Sequence, residues 1–117
     1  MGYSNVIFNG QSLNFGSMSI QKRPKTIKQS LGKKVVILGE AIGTNAIEHV
    51  IRAQGDIRGA DLDANKATLE ASQDGQRHAY SDGVRSGDYA ILELSFNDQP
   101  GIAGLAKYSY TITLVEW

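Results

Sequence analysis

Residues 108–117, YSYTITLVEW, are the stretch of sequence that decides the fold. Large apolar and mostly smaller polar side chains alternate along it. The alternation separates Tyr108, Tyr110, Ile112 and Leu114 from Ser109, Thr111, Thr113, Val115 and Trp117. A period of two residues predicts a β-strand with one set on each face. The strand runs to the last residue, so we expect Trp117 either to lie at an open edge that pairs with another chain or to cap the core.

A second alternating stretch, DYAILELSF at 88–96, comes before it. Together with the residues around Asp82-Gly83 it predicts a β-hairpin, followed by a turn at Pro100-Gly101. The alternation predicts that Ala90, Leu92, Leu94 and Phe96 face one side, and Tyr89, Ile91, Glu93 and Ser95 the other.

The first half of the chain also favours strands. Residues 3–8 predict a short strand that turns at Asn9-Gly10 into a second strand, in which Gly16 indicates a bulge. Pro24 predicts an exposed loop over 21–25, because proline cannot donate a hydrogen bond inside a central strand.

Two further segments follow that loop. The aliphatic run at 35–38 predicts a strand buried on both faces. Residues 46–57 fit either a helix or a strand, and their β-branched content favours a strand.

Residues 60–73, ADLDANKATLEASQ, predict the one clear helix, since good helix formers dominate and Asp61 and Asp63 stand near its positive end. The interpretation places Leu62, Lys66 and Leu69 on one face, widened by Ala60, Ala64, Ala67 and Ala71. We therefore expect one domain, 1–117, of the α+β class. It is a mostly antiparallel sheet curled toward a barrel, split-barrel-like, with one inserted helix.

Composition excludes several classes of protein. The 117 residues contain no cysteine, which rules out disulfide frameworks and thiol catalysis. No apolar run approaches the roughly 20 residues of a membrane helix, and the first residues show no secretory pattern, so we expect no membrane partner.

The charge is unevenly distributed. Residues 1–39 carry six bases and no acid, while residues 40–117 carry twelve acids and six bases, so the two parts have charges of +6 and −6. The candidate interface consists of Lys22, Arg23, Lys25, Lys28, Lys33, Lys34 and Trp117. Such a division is typical of a basic segment that binds nucleic acid, and equally of two complementary faces that dock copies of one chain. Folding could also mix the two parts, so that the asymmetry disappears.

Motifs for chemistry are weak. Asp61 to Asn65 copies the start of a calcium loop, but Lys66 and Ser72 stand where glycine and glutamate are needed. His49 and His78 have neither metal-ligand spacing nor a nucleophile motif. We therefore predict no enzyme activity, no metal, no cofactor and no small-molecule substrate; a small hydrolase around either histidine is the weakest hypothesis.

The second half resembles a known family. The pattern consists of Gly75, His78, Asp82-Gly83, Gly87-Asp88-Tyr89 and Tyr110 to Glu116, with KTIKQSLGKKVVILGEAIG before it. Over roughly residues 25–117 the chain is similar to the N-terminal domain of phage DNA-circularisation proteins, which are baseplate components.

The resemblance implies a structural virion protein of a phage tail, a baseplate or a phage-like contractile particle, with no catalytic residues. It implies partners among other tail or baseplate proteins and copies of the chain in a ring. The location would be the virion, with the host cytoplasm before assembly. The alternative is a small nucleic-acid-binding domain that uses the basic segment 22–34.

Overall fold

The computed structural model describes residues 3–41, 46–57, 61–99 and 107–117. The elements in these ranges are β1 (Tyr3–Phe8), β2 (Gln11–Pro24), β3 (Thr26–Leu31), β4 (Lys34–Glu40), β5 (Ile47–Ile57), α1 (Leu62–Ala71), β6 (Arg77–Ser81), β7 (Ser86–Gln99) and β8 (Lys107–Glu116). Six strands form a closed antiparallel barrel in the order β1-β2-β5-β8-β7-β6, and β3 and β4 form a separate hairpin. The predicted α+β barrel with one helix is confirmed.

The barrel interior holds the main core. Alternate residues of each strand point inward, as the period of two requires, and they include Phe8, Ile51, Ile112 and Leu114, which are fully buried. Tyr80 and Tyr89 pack together with ring centroids 4.9 Å apart. Residues 46–57, for which the sequence favours a strand over a helix, contain strand β5.

The turn at Asn9-Gly10 has the geometry that the sequence predicts. Both residues have positive φ, 51° and 78°, which matches the twist of a two-residue hairpin. The predicted bulge is present as a register shift between Phe15 and Ser17, around Gly16. These features set the path of β2 from the turn to its long pairing with β5.

Strand β7 corrects the predicted faces. Its register against β8 shifts between Ile91 and Glu93, and one extra residue reverses the alternation of side chains. The inward side chains are therefore Tyr89, Ile91, Leu94 and Phe96, while Ala90 and Leu92 belong to a second, outer cluster. The prediction that Ala90 and Leu92 share a face with Leu94 and Phe96 was wrong.

Strand β2 corrects the predicted loop at 21–25. It continues to Pro24, which pairs with Ile47 of β5. Proline is tolerated because it is the last residue of the strand, and β1 pairs with β2 only as far as Phe15. The missing N–H of Pro24 thus faces no neighbouring strand among those described.

Strand β8 is not an edge. It lies between β5 and β7 and pairs with both, so the expected open edge near Trp117 is absent. The Trp117 amide donates to the Asp88 carbonyl at 3.0 Å, and its half-buried side chain packs on the outer cluster. The other expectation, that Trp117 covers apolar packing, fits this position.

Helix α1 packs against the barrel through a narrow face. Within α1, all of which is described, only Leu69 is buried; Leu62 is partly buried on the same core. The Lys66 ammonium lies 4.4 Å from the Tyr108 ring centroid, which confirms that Lys66 faces the barrel. Ala64, Ala67 and Ala71 are exposed, so they do not widen this face as predicted, and Ala60 and Pro100-Gly101 lie outside the described residues.

Candidate functional site

The β3–β4 hairpin lies on the outside of the barrel. Its Val35 packs with Val50, Ala90 and Val115, which point outward from β5, β7 and β8. Leu92 and Trp117 partly cover this outer cluster. The outer cluster is small compared with the barrel core, so apolar packing alone stabilises the docked position of the hairpin only weakly.

A buried ion cluster holds the base of the hairpin. Glu48 of β5 is fully buried, and its carboxylate accepts bonds from the Lys28 ammonium at 2.5 Å and the Arg23 guanidinium at 2.8 Å. The Thr26 amide donates to the same carboxylate at 2.7 Å, and the Thr26 hydroxyl donates at 3.0 Å. Burial by itself would raise the pKa of Glu48, but the bonds from Lys28, Thr26 and Arg23 outweigh it and hold the pKa below its ordinary value.

The tip of the hairpin is held by a close backbone approach. The Ser30 hydroxyl donates to the Gly75 carbonyl, in the segment between α1 and β6. Gly75 has φ of 78°, and a Cβ there would lie 2.3 Å from the Gly32 carbonyl oxygen. Only glycine permits this contact, so a glycine at position 75 allows the hairpin tip to dock against the barrel.

The opposite face of the hairpin is open and carries three exposed apolar side chains, with the exposed Gln29 between two of them in β3. Ile27, Leu31 and Leu38 are 50%, 54% and 60% exposed. Ile27 pairs with Gly39 and Lys28 with Ile37, so Leu38 is an extra residue at a bulge. The prediction that 35–38 is buried on both faces was wrong, because the barrel covers only one side of the hairpin.

The structure separates the six basic residues of the candidate interface. Arg23 and Lys28 bind Glu48, and the Lys28 ammonium is fully buried, so Lys28 cannot contact a partner in this conformation. Lys22, Lys33 and Lys34 are exposed and Lys25 is half-buried. The internal partner, Glu48, could not be found from the sequence because it lies 20 residues from Lys28. The nucleic-acid alternative loses Lys28, and the charge of Arg23 is already paired with Glu48.

The two histidines lie in separate pairs. His49 Nδ1 is 2.9 Å from a Glu116 carboxylate oxygen, and His78 Nε2 is 2.9 Å from Asp74 Oδ1. The described ranges contain no group of three or more His, Asp or Glu residues that could hold a metal ion. Nor does any helix in those ranges have the length and apolar character needed to cross a membrane.

Two solved structures that are similar to this chain come from a phage-like particle, a gene transfer agent. A chain from the tail of an empty gene transfer agent (GTA) particle with C6 symmetry is 14% identical, with a TM-score of 0.51; the match covers 90% of this chain and 78% of that one. A chain from the virion of a native GTA particle is 12% identical with the same TM-score, and the match covers 97% and 91%.

At this level of identity the likeness is one of fold. The chain therefore shares a barrel fold with components of a phage-like particle. No protein-family model and no curated protein matches the sequence. The narrower likeness to phage DNA-circularisation proteins stays a prediction.

Proposed function

We propose that this chain is a structural component of the tail or baseplate of a phage-like particle, located in the host cytoplasm before assembly and in the virion afterwards. It joins other tail proteins and copies of itself. The observation that carries the proposal is the outward face of the β3–β4 hairpin, Ile27, Leu31 and Leu38, on a fold that GTA tail and virion chains share.

The outward face has the composition of an interface core. Exposed apolar residues that cluster on one element favour association, because burying them removes apolar surface from water. Lysines flank the cluster: Lys33 and Lys34 at the hairpin tip are exposed. An apolar centre with a polar rim is the usual anatomy of a protein–protein interface.

Exposed acidic side chains on other elements of the chain have the charge opposite to that of these lysines. Exposed acids lie on α1, on the residue before it and on β7, namely Asp61, Asp63, Glu70, Asp88 and Glu93. Opposite charges on different parts of one chain favour contacts between unlike surfaces of two copies. Such head-to-tail contacts close into rings when the rotation between copies allows it.

Light scattering tests the proposal. We expect the purified chain to form a defined multimer whose mass rises with concentration and falls at high salt, because salt screens the charged rim. A Leu31→Ser/Leu38→Ser variant should be monomeric at the concentration where the unchanged chain assembles. The matched control is Val84→Ser, since Val84 is 86% exposed in the turn between β6 and β7.

Two results would contradict the proposal. One is a chain that stays monomeric at every concentration and binds no tail protein. The other is equal assembly by the hairpin variant and the control, which would remove the outward face from the interface.

A further inference from the structure

Two strands of the barrel are paired on one side only over part of their length. Strand β2 pairs with β5 to its last residue, but its pairing with β1 ends at Phe15. Strand β7 likewise pairs with β8 to its last residue, but its pairing with β6 ends at Ala90. Among the described strands, residues 17–24 of β2 and 93–99 of β7 therefore each have one free side. We call these two segments the β2 edge and the β7 edge.

The free sides carry main-chain groups that another strand can bind. In an antiparallel ladder, alternate residues direct their N–H and C=O groups away from the partner strand. Among the described residues, neither edge makes a backbone hydrogen bond outside its single ladder. Such a row of unpaired groups is a template for pairing with another chain. The edges can be reached from solvent, since their outward side chains are exposed, namely Ser17, Ser19, Gln21, Glu93, Ser95 and Asn97.

The two edges have the same alternation of side chains. Met18 and Ile20 at the β2 edge pack on the barrel core, as do Leu94 and Phe96 at the β7 edge, and all four are only partly buried. A strand added at either edge would cover them further, because side chains on one face of neighbouring strands lie in contact. Removing this apolar surface from water favours pairing of the edges.

The charges of the two edges are opposite. Residues 17–24 contain two bases and no acid, whereas residues 93–99 contain two acids and no base. Of these residues, Arg23 is bound within the chain, while Lys22 and Glu93 are exposed. Two copies of the same edge would bring like charges together, whereas the β2 edge beside the β7 edge brings opposite charges together. The charges thus favour pairing between unlike edges.

The strand directions favour the same pair. Strands β2, β5, β8 and β7 follow one another in the barrel, and each neighbouring pair is antiparallel, so β2 and β7 run in opposite directions. Two copies in the same orientation therefore bring the unlike edges together as antiparallel strands. The β3–β4 hairpin is a poorer match, because its ladder is interrupted between Ile27 and Lys28 and the Thr26 amide is bound to Glu48.

We propose that the β2 edge of one copy pairs with the β7 edge of a second copy, so that the antiparallel sheet continues from copy to copy. The inference deepens the proposed function and rests on it, because it requires copies to assemble. It assigns a second contact, distinct from the outward face of the hairpin. Since two different edges meet, the contact is head to tail and can repeat until a ring closes.

Cross-linking gives the first test, because the chain has no cysteine of its own. A mixture of Ser19→Cys and Ser95→Cys chains, treated with a short thiol cross-linker, should give several times more covalent dimer than the matched control, a mixture of Ser19→Cys and Val84→Cys chains. Each single variant alone should give no more dimer than the control. The double variant Ser19→Cys/Ser95→Cys should give a ladder of covalent multimers.

Hydrogen exchange gives the second test. Assembly should slow the exchange of alternate amides in 17–24 and 93–99 at least tenfold, because only the amides that point away from β5 and β8 gain a partner. A contact through side chains alone would not produce this alternation. Equal exchange at these amides before and after assembly would overturn the pairing.

Charge reversal gives the third test. Glu93→Lys places a positive charge beside the basic β2 edge and should weaken association at least tenfold. Glu70→Lys, which makes the same change in net charge on the exposed surface of α1, should weaken it less. Equal weakening by the two variants would contradict a contact at the β7 edge.

The outcomes separate this inference from the proposed function. If the unchanged chain never assembles, both fail. If it assembles but the Ser19→Cys and Ser95→Cys mixture gives no more dimer than the control, the edge pairing is wrong while the structural role stands. A dimer formed by Ser19→Cys chains alone, above the control, would indicate a twofold pair of β2 edges and would equally overturn the inference.

Discussion

The barrel and the β3–β4 hairpin are held in different ways. Each barrel strand pairs with two neighbours around a closed ring, and the interior is filled by aromatic and aliphatic side chains. The hairpin strands pair only with each other among the described strands. Three contacts hold the hairpin to the barrel: the buried ion cluster around Glu48 (the Glu48 cluster), the outer cluster around Val35, and the tip contact at Gly75.

This difference assigns different roles to the two regions. The barrel carries most of the free energy of folding, because it buries most of the apolar surface. A buried ion pair contributes little net stability compared with apolar residues of the same size, yet it defines one geometry. We infer that the Glu48 cluster orients the hairpin, which presents its apolar face in one position.

The largest effect is expected from Glu48→Gln. The change leaves the buried Lys28 ammonium without its counter-charge, which should cost about 3–5 kcal/mol and release the hairpin from the barrel. Hydrogen exchange of the hairpin amides, together with denaturant unfolding, measures the loss. The matched control is Lys28→Met/Glu48→Leu, which should restore much of the stability. An unchanged exchange rate in Glu48→Gln would show that the cluster does not hold the hairpin.

Two glycine substitutions compare the regions directly. A Cβ at Gly55 would lie 2.3 Å from the Asn14 carbonyl oxygen and 2.6 Å from the Tyr110 hydroxyl, so Gly55→Ala should destabilise the barrel by about 3 kcal/mol. A Cβ at Gly75 would lie equally close, at 2.3 Å, to the Gly32 carbonyl oxygen and would require a positive φ. Because the hairpin can move away from the barrel to relieve this contact, Gly75→Ala should cost only about 1–2 kcal/mol. The denaturation midpoint measures the loss of stability in each variant, and hydrogen exchange of the hairpin amides shows whether the hairpin has left the barrel. The comparison fails if Gly75→Ala lowers the midpoint as much as Gly55→Ala.

A smaller effect is expected from pH. The pKa of Glu48 is lowered on folding, so its stabilising contribution is complete above its ordinary value of 4.5 and is lost as pH falls through the folded pKa. Hairpin exchange, corrected for the intrinsic rate, should therefore accelerate in acid. Lys28→Met/Glu48→Leu should lose most of this dependence, and an equal dependence in that variant would attribute the effect to Asp74 or Asp82, whose pKa values are also lowered.

The smallest effect on stability is expected from Ile27→Ser. Ile27 is half exposed on the outward face, so the substitution should change the free energy of unfolding by less than about 0.5 kcal/mol. Association of copies should nevertheless weaken. Val84→Ser serves again as the control, and a large fall in the stability of Ile27→Ser would mean that the outward face is part of the fold rather than an interface.

The sequence predicts the local elements better than their neighbours in space. Alternation in β8, the Asn9-Gly10 turn and the composition of α1 are local signals, and all three are confirmed. The bulge in β7 is not visible in the sequence because no glycine or proline marks it. One extra residue is enough to reverse the faces beyond it.

The candidate site was harder to predict. The cations of the first third are visible in the sequence, but the pairing of Arg23 and Lys28 with Glu48 depends on how β2, β3 and β5 come together. The aliphatic run at 35–38 predicts a strand that is buried on both faces. Its exposure at Leu38 follows from the hairpin covering the barrel on one side only.

Hydrogen exchange below and above the concentration at which copies assemble tests the central claim most directly. The account predicts that amides of β3 and β4 exchange more slowly in the assembled state, while those in the middle of β5 and β8 are unchanged. If the chain assembles and hairpin exchange stays the same, the outward face of the hairpin is not an assembly surface.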